Sequence, residues 1–410
     1  MRTRPAAPAN GVRRRPKDRK AQILRAAAES FSARGYHAVG MDDIAAQLGI
    51  SATALYRHYA NKYDLFRACV LALGQQLVDA TAFCDELPSD AEPDAVCRRI
   101  VAALTEVAIA NRESSGLYRW EGRYLRGDDQ SVLMAQIQVV NRRIQRPLMA
   151  QRPTVTSVER WILSAAALSV IGSIADHRVK LSAPQIRALL PELVGTVLAA
   201  ELPSPREAAE QPSVTPRPAP PLQAIGRYEA VLQQSLLLFD KQGYHETGIG
   251  EIAASVGIPP SGIYRYFAGK QDILCAVFRR AADRISAELS SVLSGETNPV
   301  AALHALIGKY VANSFANRSL AHVYYTERVN LPDADQEMLR DVQRATVDSW
   351  VRLVTAARPG LDAAPARFAV HAAMALVIDL GRLVSSDDTA HLQAAVRRLM
   401  AVTLGLPAPS

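Results

Sequence analysis

The chain has 410 residues, too many for one ordinary hydrophobic core, so it should fold as two or more domains. Apolar residues make up 49% of it and charged residues 21%, a balance typical of globular proteins. No apolar stretch is long enough for a membrane span, and the basic N-terminus leads into no apolar signal segment. The four cysteines lie at no metal-binding spacing, which favours idle thiols in the cytoplasm over a zinc or disulfide site.

The net charge of +7 arises at the N-terminus, because the first 20 residues hold eight arginines and lysines against one aspartate. Residues 1–18 are predicted to form a basic, disordered arm. This arm could serve solubility alone, or it could neutralise DNA phosphates and enter a minor groove beside a DNA-binding unit. In the second case the candidate contacts are Arg13, Arg14 and Arg15.

The signals for three consecutive helices follow the arm. The first helix, 19–34, is amphipathic and is followed by Gly35, a residue that suits a left-handed C-cap. A short helix is predicted at 41–48, and Ser51 is a plausible N-cap for a third helix at 52–59. Two short helices joined by a tight, glycine-containing turn are typical of a helix-turn-helix, whose second helix enters the major groove of DNA.

The third helix carries the candidate DNA contacts of this unit. Leu55 and Tyr59, four residues apart, should face the protein interior, which leaves the opposite face open. A threonine on that face can contact a base edge, while a tyrosine and an arginine can bind phosphate or guanine. A lysine at the start of the next helix can add a cation. The candidates are Thr53, Tyr56, Arg57 and Lys62.

The same pattern recurs 208 residues later without a gap. Residues 31–37 match 239–245, and residues 55–60 match 263–268, with their aromatic residues in register. An internal repeat of this kind predicts a duplicated structural unit. The corresponding candidate DNA contacts of the second unit are Ser261, Tyr264, Arg265 and Lys270.

These motifs resemble the N-terminal signature of the TetR family. The first copy reads Gly35-Tyr36, Asp43-Ile44-Ala45, Gly49-Ile50-Ser51 and Leu55-Tyr56-Arg57-His58-Tyr59, and the second reads Gly243-Tyr244, Glu251-Ile252-Ala253, Gly257-Ile258 and Ile263-Tyr264-Arg265-Tyr266-Phe267. The resemblance implies an all-helical regulator, usually a repressor, whose C-terminal helices dimerise and enclose a ligand pocket, and which leaves DNA when ligand binds. Pro259 and Pro260 stand where this family usually has a polar helix cap, so the second copy could bind DNA more weakly or serve mainly in dimerisation.

Seven prolines within residues 203–225 predict an extended linker that holds no helix. Long stretches on both sides show helical spacing and no convincing alternation at period two, so we predict an all-α fold, a tandem duplication of a TetR-like unit. Each copy should consist of a helix-turn-helix head followed by a helical ligand and dimerisation domain. The predicted divisions are 1–18, 19–66, 67–202, 203–225, 226–274 and 275–410.

Joining two copies in one chain raises their effective concentration, which favours an internal pseudo-dimer. A homodimer with four heads is the alternative. The apolar helices at 157–176 and 366–384 are the candidates for a four-helix interface. Because the third helices begin differently, with 52–54 reading ATA and 260–262 reading PSG, an operator with two non-identical half-sites is expected. The expected partners are double-stranded DNA and an unidentified small-molecule effector, with no cofactor.

A weaker repeat at an offset of 206 residues pairs Tyr118-Arg119-Trp120-Glu121 with Tyr324-Tyr325-Thr326-Glu327. Glu121 and Glu327 could line a ligand pocket, or each could make a structural ion pair or hydrogen bond between helices, and the second interpretation is favoured. The aromatic candidates for a pocket wall are Tyr118, Trp120 and Tyr324, with core packing as the alternative.

Motifs of a catalytic site are missing from the sequence, which holds no phosphate-binding glycine loop, no H-E-x-x-H zinc motif and no G-x-S-x-G nucleophile elbow. The chain is therefore not expected to be an enzyme. We expect a sequence-specific, ligand-responsive repressor in the cytoplasm, associated with the nucleoid. The alternative is a protein-interaction module whose second head no longer binds DNA.

Overall fold

The computed structural model describes residues 19–88, 90–210, 226–383 and 389–407, and within these segments every regular element is a helix, which confirms the all-α prediction. The candidate arm residues Arg13, Arg14 and Arg15 lie outside the described residues. The first half of the chain runs through α1 (Arg19–Arg34), α2 (Met41–Gln47), α3 (Ala52–Tyr56), α4 (Lys62–Ala80), α5 (Pro93–Ala110), α6 (Gly116–Trp120), α7 (Asp128–Gln151), α8 (Ser157–Gly172) and α9 (Ala183–Leu198).

The second half repeats this order after one additional short helix. The elements are α10 (Pro205–Glu210), α11 (Arg227–Gln242), α12 (Ile249–Ser255), α13 (Pro260–Ile263), α14 (Lys270–Gly295), α15 (Pro299–Ala316), α16 (Arg318–Glu327), α17 (Asp333–Ala357), α18 (Ala363–Leu383) and α19 (Thr389–Thr403). We call α1–α3 with the start of α4 head 1, and α11–α13 with the start of α14 head 2. The remaining helices of each half form its body.

Local sequence signals shape the heads as predicted. Gly35 follows α1 with a φ of +81°, and its amide donates to the Phe31 carbonyl at 2.8 Å. The ring of Tyr36 packs back on that of Phe66, 4.5 Å away between centroids. Gly243 takes the same place after α11, with a φ of +92°. A residue with a side chain would be strained at either position, so the glycines fix where the first helix of each head ends.

The start of the expected linker is helical, contrary to the prediction. The helix α10 begins at Pro205, and a proline is tolerated there because the first amides of a helix have no intrahelical partner. The Ser204 amide donates to the Glu207 carboxylate at 2.7 Å, and the Glu207 amide donates to the Ser204 hydroxyl at 3.3 Å, so the two residues form a capping box. Ala208 is buried, and α10 packs against α19 of the second half. Residues 211–225 lie outside the described residues.

The bodies of the two halves share one continuous hydrophobic core. The helix α8 packs against α18, and α9 packs against α19, which brings four helices together between the halves. Buried residues of both halves belong to this core, among them Leu163, Ala166, Val377 and Leu380. The four-helix contact expected at 157–176 and 366–384 therefore forms within one chain.

Two of the core helices are unusually apolar. The segments Ser157–Ala175 and Ala363–Arg382 are long and apolar enough to cross a membrane by length and composition alone. However, 67% of the apolar window of each is buried inside the protein. Their hydrophobicity is thus accounted for by the contact between the halves.

Candidate nucleic-acid interface

The third helix of head 1 presents its candidate contacts outward. The Ser51 hydroxyl accepts the Ala54 amide at 3.2 Å, so Ser51 caps α3 as predicted. Leu55 and Tyr59 are buried, also as predicted. The side chain of Tyr56 is 49% exposed, an unusual position for a large aromatic residue and one that leaves it free for a partner. The helix ends at Tyr56, before its predicted end at residue 59, and the exposed candidate contacts are Thr53, Tyr56 and the following Arg57.

The corresponding helix of head 2 has the same orientation and a weaker cap. Pro259 occupies the N-cap position of α13 and offers no side-chain oxygen to the free amides. Ile263 and Phe267 are buried, which turns the other face of the helix outward. The exposed candidate contacts are Ser261 in α13 and Tyr264 and Arg265 directly after it.

The lysines that follow these helices have internal partners that were not predicted from the sequence. The Lys62 ammonium donates to the His37 carbonyl at 3.3 Å. The Lys270 ammonium donates to the carbonyls of Tyr244, at 2.6 Å, and Thr247, at 2.9 Å. Burial lowers the pKa of both lysines. Each lysine therefore stabilises the loop after the first helix of its head, and a contact of either with DNA phosphate stays a prediction.

Glu121 and Glu327 hold the same loops from the side of the bodies. The Glu121 carboxylate accepts the Tyr36 amide at 3.0 Å, and the Glu327 carboxylate accepts the Tyr244 amide at 3.1 Å. Both carboxylates are buried, and burial raises the pKa of Glu121 to about 7. In each half this glutamate thus ties the body to the head, which agrees with the structural interpretation of these glutamates.

The two heads meet close to these glutamates. The rings of His37, from head 1, and His245, from head 2, stack with 4.8 Å between their centroids. Arg123 of the first half binds the Glu327 carboxylate of the second half. The hydroxyl of Tyr124 donates to the same carboxylate at 3.2 Å. A charged contact between the halves therefore fixes the place where the heads touch.

A buried ionic cluster joins the bodies of the two halves. The Arg119 guanidinium donates to Asp176 at 2.7 Å and to Asp379 of the second half at 2.6 Å. Burial alone lowers the pKa of Arg119, but the two carboxylates outweigh burial and hold that pKa above its usual value. Beside this cluster the ring of Trp120 stacks on that of Tyr325 of the second half, with 4.3 Å between centroids and 6° between planes.

A cavity of about 240 Å³ lies in the body of the second half, between α14, α15, α16, α17 and α18. Apolar side chains such as Phe278, Leu306 and Met374 form most of its wall. Lys309 supplies a cation, and Asp176 completes the wall from the first half. This combination of an apolar interior with a few polar groups is typical of a small-molecule binding site.

Most of the candidate pocket residues lie away from this cavity. Of the five pocket candidates, only Tyr324 lines it. Glu121 and Glu327 reach the heads instead, and Trp120 is buried in the contact between the halves. Tyr118 packs against the cores of the first-half body and of head 1. Trp120 lies away from the cavity because the α6 segment of the first half faces the second half, so its indole ring stacks on Tyr325.

The fold and the heads define a class of helical proteins in which a helix-turn-helix head stands on a helical body, here present twice. Residues 23–69 and 231–277 match the family described as bacterial regulatory proteins, tetR family. Both heads belong to the tetR family, and the chain is a tandem duplication of its unit.

The relatives are similar to parts of the chain. Over 76 residues it is 47% identical to the HTH-type transcriptional activator FasR of Mycolicibacterium smegmatis, an alignment that covers 18% of this chain and 33% of that protein. Over 101 residues it is 23% identical to the fatty acid metabolism regulator protein of Bacillus subtilis. That alignment covers 25% of this chain and 52% of that protein. The chain therefore spans a third to about half of the length of these relatives. A TetR-family transcriptional regulator of known structure from Bordetella parapertussis 12822 is 20% identical, with a TM-score of 0.40, and the match covers 44% of this chain and 94% of that one.

Proposed function

We propose that the chain is a sequence-specific, DNA-binding transcription regulator that uses both heads on one duplex. The observation that carries this proposal is the repeated exposed pair, Tyr56 with Arg57 in head 1 and Tyr264 with Arg265 in head 2, at matching places where the two third helices end. Side chains of these types bind phosphates and the edges of guanine. The family match of both heads and the direct contact between the heads support their use together.

The two heads should bind different half-sites. Head 1 presents Thr53, whose methyl group can contact the methyl group of thymine, whereas head 2 presents Ser261, which has no methyl group. Selection of bound duplexes from a random library should return a two-part site with unequal halves. A strictly palindromic site would contradict this part of the proposal, and failure to enrich any sequence would favour the protein-interaction module.

We further propose that an effector regulates DNA binding and that the unliganded protein is a repressor. The apolar wall of the second-half cavity, with the exposed Lys309 among its lining residues, suits an elongated apolar ligand with an anionic end. The name of one relative, fatty acid metabolism regulator protein, supports a fatty-acyl compound as this ligand. Such a ligand should weaken the complex with DNA, and a reporter gene behind the selected site should be expressed more strongly when the ligand is supplied.

The DNA-binding form should be one chain acting as an internal pseudo-dimer. The continuous core between α8, α9, α18 and α19 supports this arrangement, because it already covers the apolar helices that a second chain would otherwise cover. Sedimentation equilibrium with a duplex of the selected site should give a complex of one chain and one duplex. A complex of two chains would support the homodimer with four heads.

A further inference from the structure

We propose that the cavity of the second half controls both heads, so that one effector molecule per chain changes the DNA affinity of the whole pseudo-dimer. This inference rests on the proposed function for its biological meaning, but the contacts that carry it lie entirely within the protein. Two routes of adjacent residues leave the cavity wall, and each ends at a hydrogen bond that holds the loop after the first helix of one head.

The route to head 2 runs along a single helix. Tyr324 and Tyr325 of α16 line the cavity. Glu327, the last residue of the same helix, accepts the Tyr244 amide of head 2 at 3.1 Å. Because a helix moves as a rigid element, a ligand that displaces the two tyrosines also displaces the carboxylate that holds the head.

The route to head 1 crosses from one half to the other. The ring of Tyr325 stacks on Trp120 of the first half, and the Trp120 indole N–H donates to Asp176 at 3.0 Å. Asp176 is itself part of the cavity wall. The next residue in the chain after Trp120 is Glu121, which accepts the Tyr36 amide of head 1 at 3.0 Å. A ligand in the second half therefore contacts two groups that hold the body segment supporting head 1.

The corresponding place in the first half is built differently. The residue 206 positions before Tyr325 is Arg119, which is fixed between Asp176 and Asp379. In the first half this place is therefore taken by a buried guanidinium between two carboxylates, with the Arg119 side chain only 7% exposed. The two copies have thus diverged, so that the second half offers an aromatic ring where the first half offers a charged group.

Hydrogen exchange of the whole chain, measured by mass spectrometry, tests this inference without DNA and without a known effector. The variant Ala281→Trp places a large ring in the cavity from its own wall, and Ala287→Trp places the same ring on the exposed side of the same helix as a control. We expect Ala281→Trp to change the exchange rates of the loops 35–40 and 243–248 together, by about threefold or more, and the control to change neither. Ser314→Phe, at a separate point of the wall, should reproduce the result.

The crossing contact is tested by removing it. In a chain that carries Ala281→Trp, the additional change Trp120→Leu should abolish the response of loop 35–40 and leave that of loop 243–248. Tyr325→Leu, which breaks the same stack from the other half, should also abolish the response of loop 35–40. Three results would overturn the inference. The first is a response of loop 243–248 alone in the first experiment, and the second is no response of either loop to both cavity-filling variants. The third is a response of loop 35–40 that Trp120→Leu and Tyr325→Leu leave undiminished. Absence of DNA binding would overturn the proposed function and leave these exchange results intact.

Discussion

Arg123 of the first half binds the carboxylate of Glu327 in the second half, and that carboxylate also holds the amide of Tyr244 in head 2. The residue 206 positions after Arg123 is Val329, so the ion pair has no counterpart in the reverse direction. The two halves consequently share the hydrogen bond between body and head but not the charged contact that joins the copies. The placement of head 2 depends on a residue of the first half, as it would in a heterodimer.

The ion pair between Arg123 and Glu327 should contribute substantially to stability. Arg123→Met is expected to lower the free energy of unfolding by about 3 kcal/mol, because it leaves a buried carboxylate without its counter-charge. The Glu327 side chain is only 2% exposed, so water cannot replace the lost partner. Arg187→Met, which removes an exposed partner of Glu106, is the control and should cost far less, because solvent screens an exposed ion pair. Urea unfolding followed by circular dichroism measures both, and equal losses would contradict the role of the buried pair.

Stability should depend on pH through Glu121. Burial raises the pKa of this carboxyl to about 7 in the folded chain, while nearby Arg123 lowers it and Glu327 raises it further. In the unfolded chain the Glu121 carboxyl loses its proton at a lower pH than in the folded chain. Its contribution to the free energy of unfolding is therefore complete below the pKa of the unfolded chain and is lost as the pH rises through about 7.

Glu121→Gln removes this dependence and keeps an oxygen for the Tyr36 amide. The free energy of unfolding of the variant, relative to the natural chain, should therefore rise between about pH 4.5 and pH 7 by up to about 3 kcal/mol. Urea titrations at several pH values give this difference directly. A difference that stays constant over the range would show that the Glu121 carboxyl is not perturbed by its surroundings.

Gly172 provides the space in which Arg119 lies. A Cβ atom at Gly172 would stand 3.1 Å from Cδ of Arg119, whose guanidinium is fixed by two carboxylates and cannot move aside. Gly172→Ala is expected to cost about 1–3 kcal/mol of stability. Gly195→Ala is the matched control, because a Cβ there meets nothing within 4 Å and a helical alanine should add about 0.5–1 kcal/mol. In thermal unfolding, the Tm of Gly172→Ala should lie below that of the natural chain and the Tm of Gly195→Ala above it. Two shifts of the same sign would contradict this packing.

The caps of the two third helices predict unequal responses to alanine. Ser51→Ala removes the hydroxyl that accepts the Ala54 amide and should weaken the local helix by about 1 kcal/mol. Pro259→Ala removes no capping oxygen, because the proline supplies none. If α3 binds DNA, Ser51→Ala should lower the affinity for the head 1 half-site several-fold in a fluorescence anisotropy titration, with no comparable capping effect for Pro259→Ala. Equal losses in both variants would argue against the capping role.

Features that depend on neighbours in the chain were predictable from the sequence. The end of α1 at Gly35, the cap at Ser51 and the outward face of Tyr56 follow from spacing and from the conformations that each residue type prefers. The duplication was visible because the copies keep their aromatic residues in register.

Features that depend on distant partners were not predictable. Arg119 and Asp379 are 260 residues apart in the chain, so their ion pair required the packing of the two bodies to be known. The position of Trp120 was not predictable for the same reason, since its ring lies in an interface that only the assembled halves create. The helix α10 was missed because a proline that ends a helix in its interior can also begin one.

The most direct test of the account is a hydroxyl-radical footprint of the whole chain on its selected site, compared with those of Arg57→Ala and Arg265→Ala. The control is Arg187→Ala, which removes the same charge from the body. We predict that each head variant loses protection over a different half of the site and binds about 1–3 kcal/mol more weakly, while the control does neither. Unchanged footprints in both head variants would contradict the claim that these two helices bind DNA.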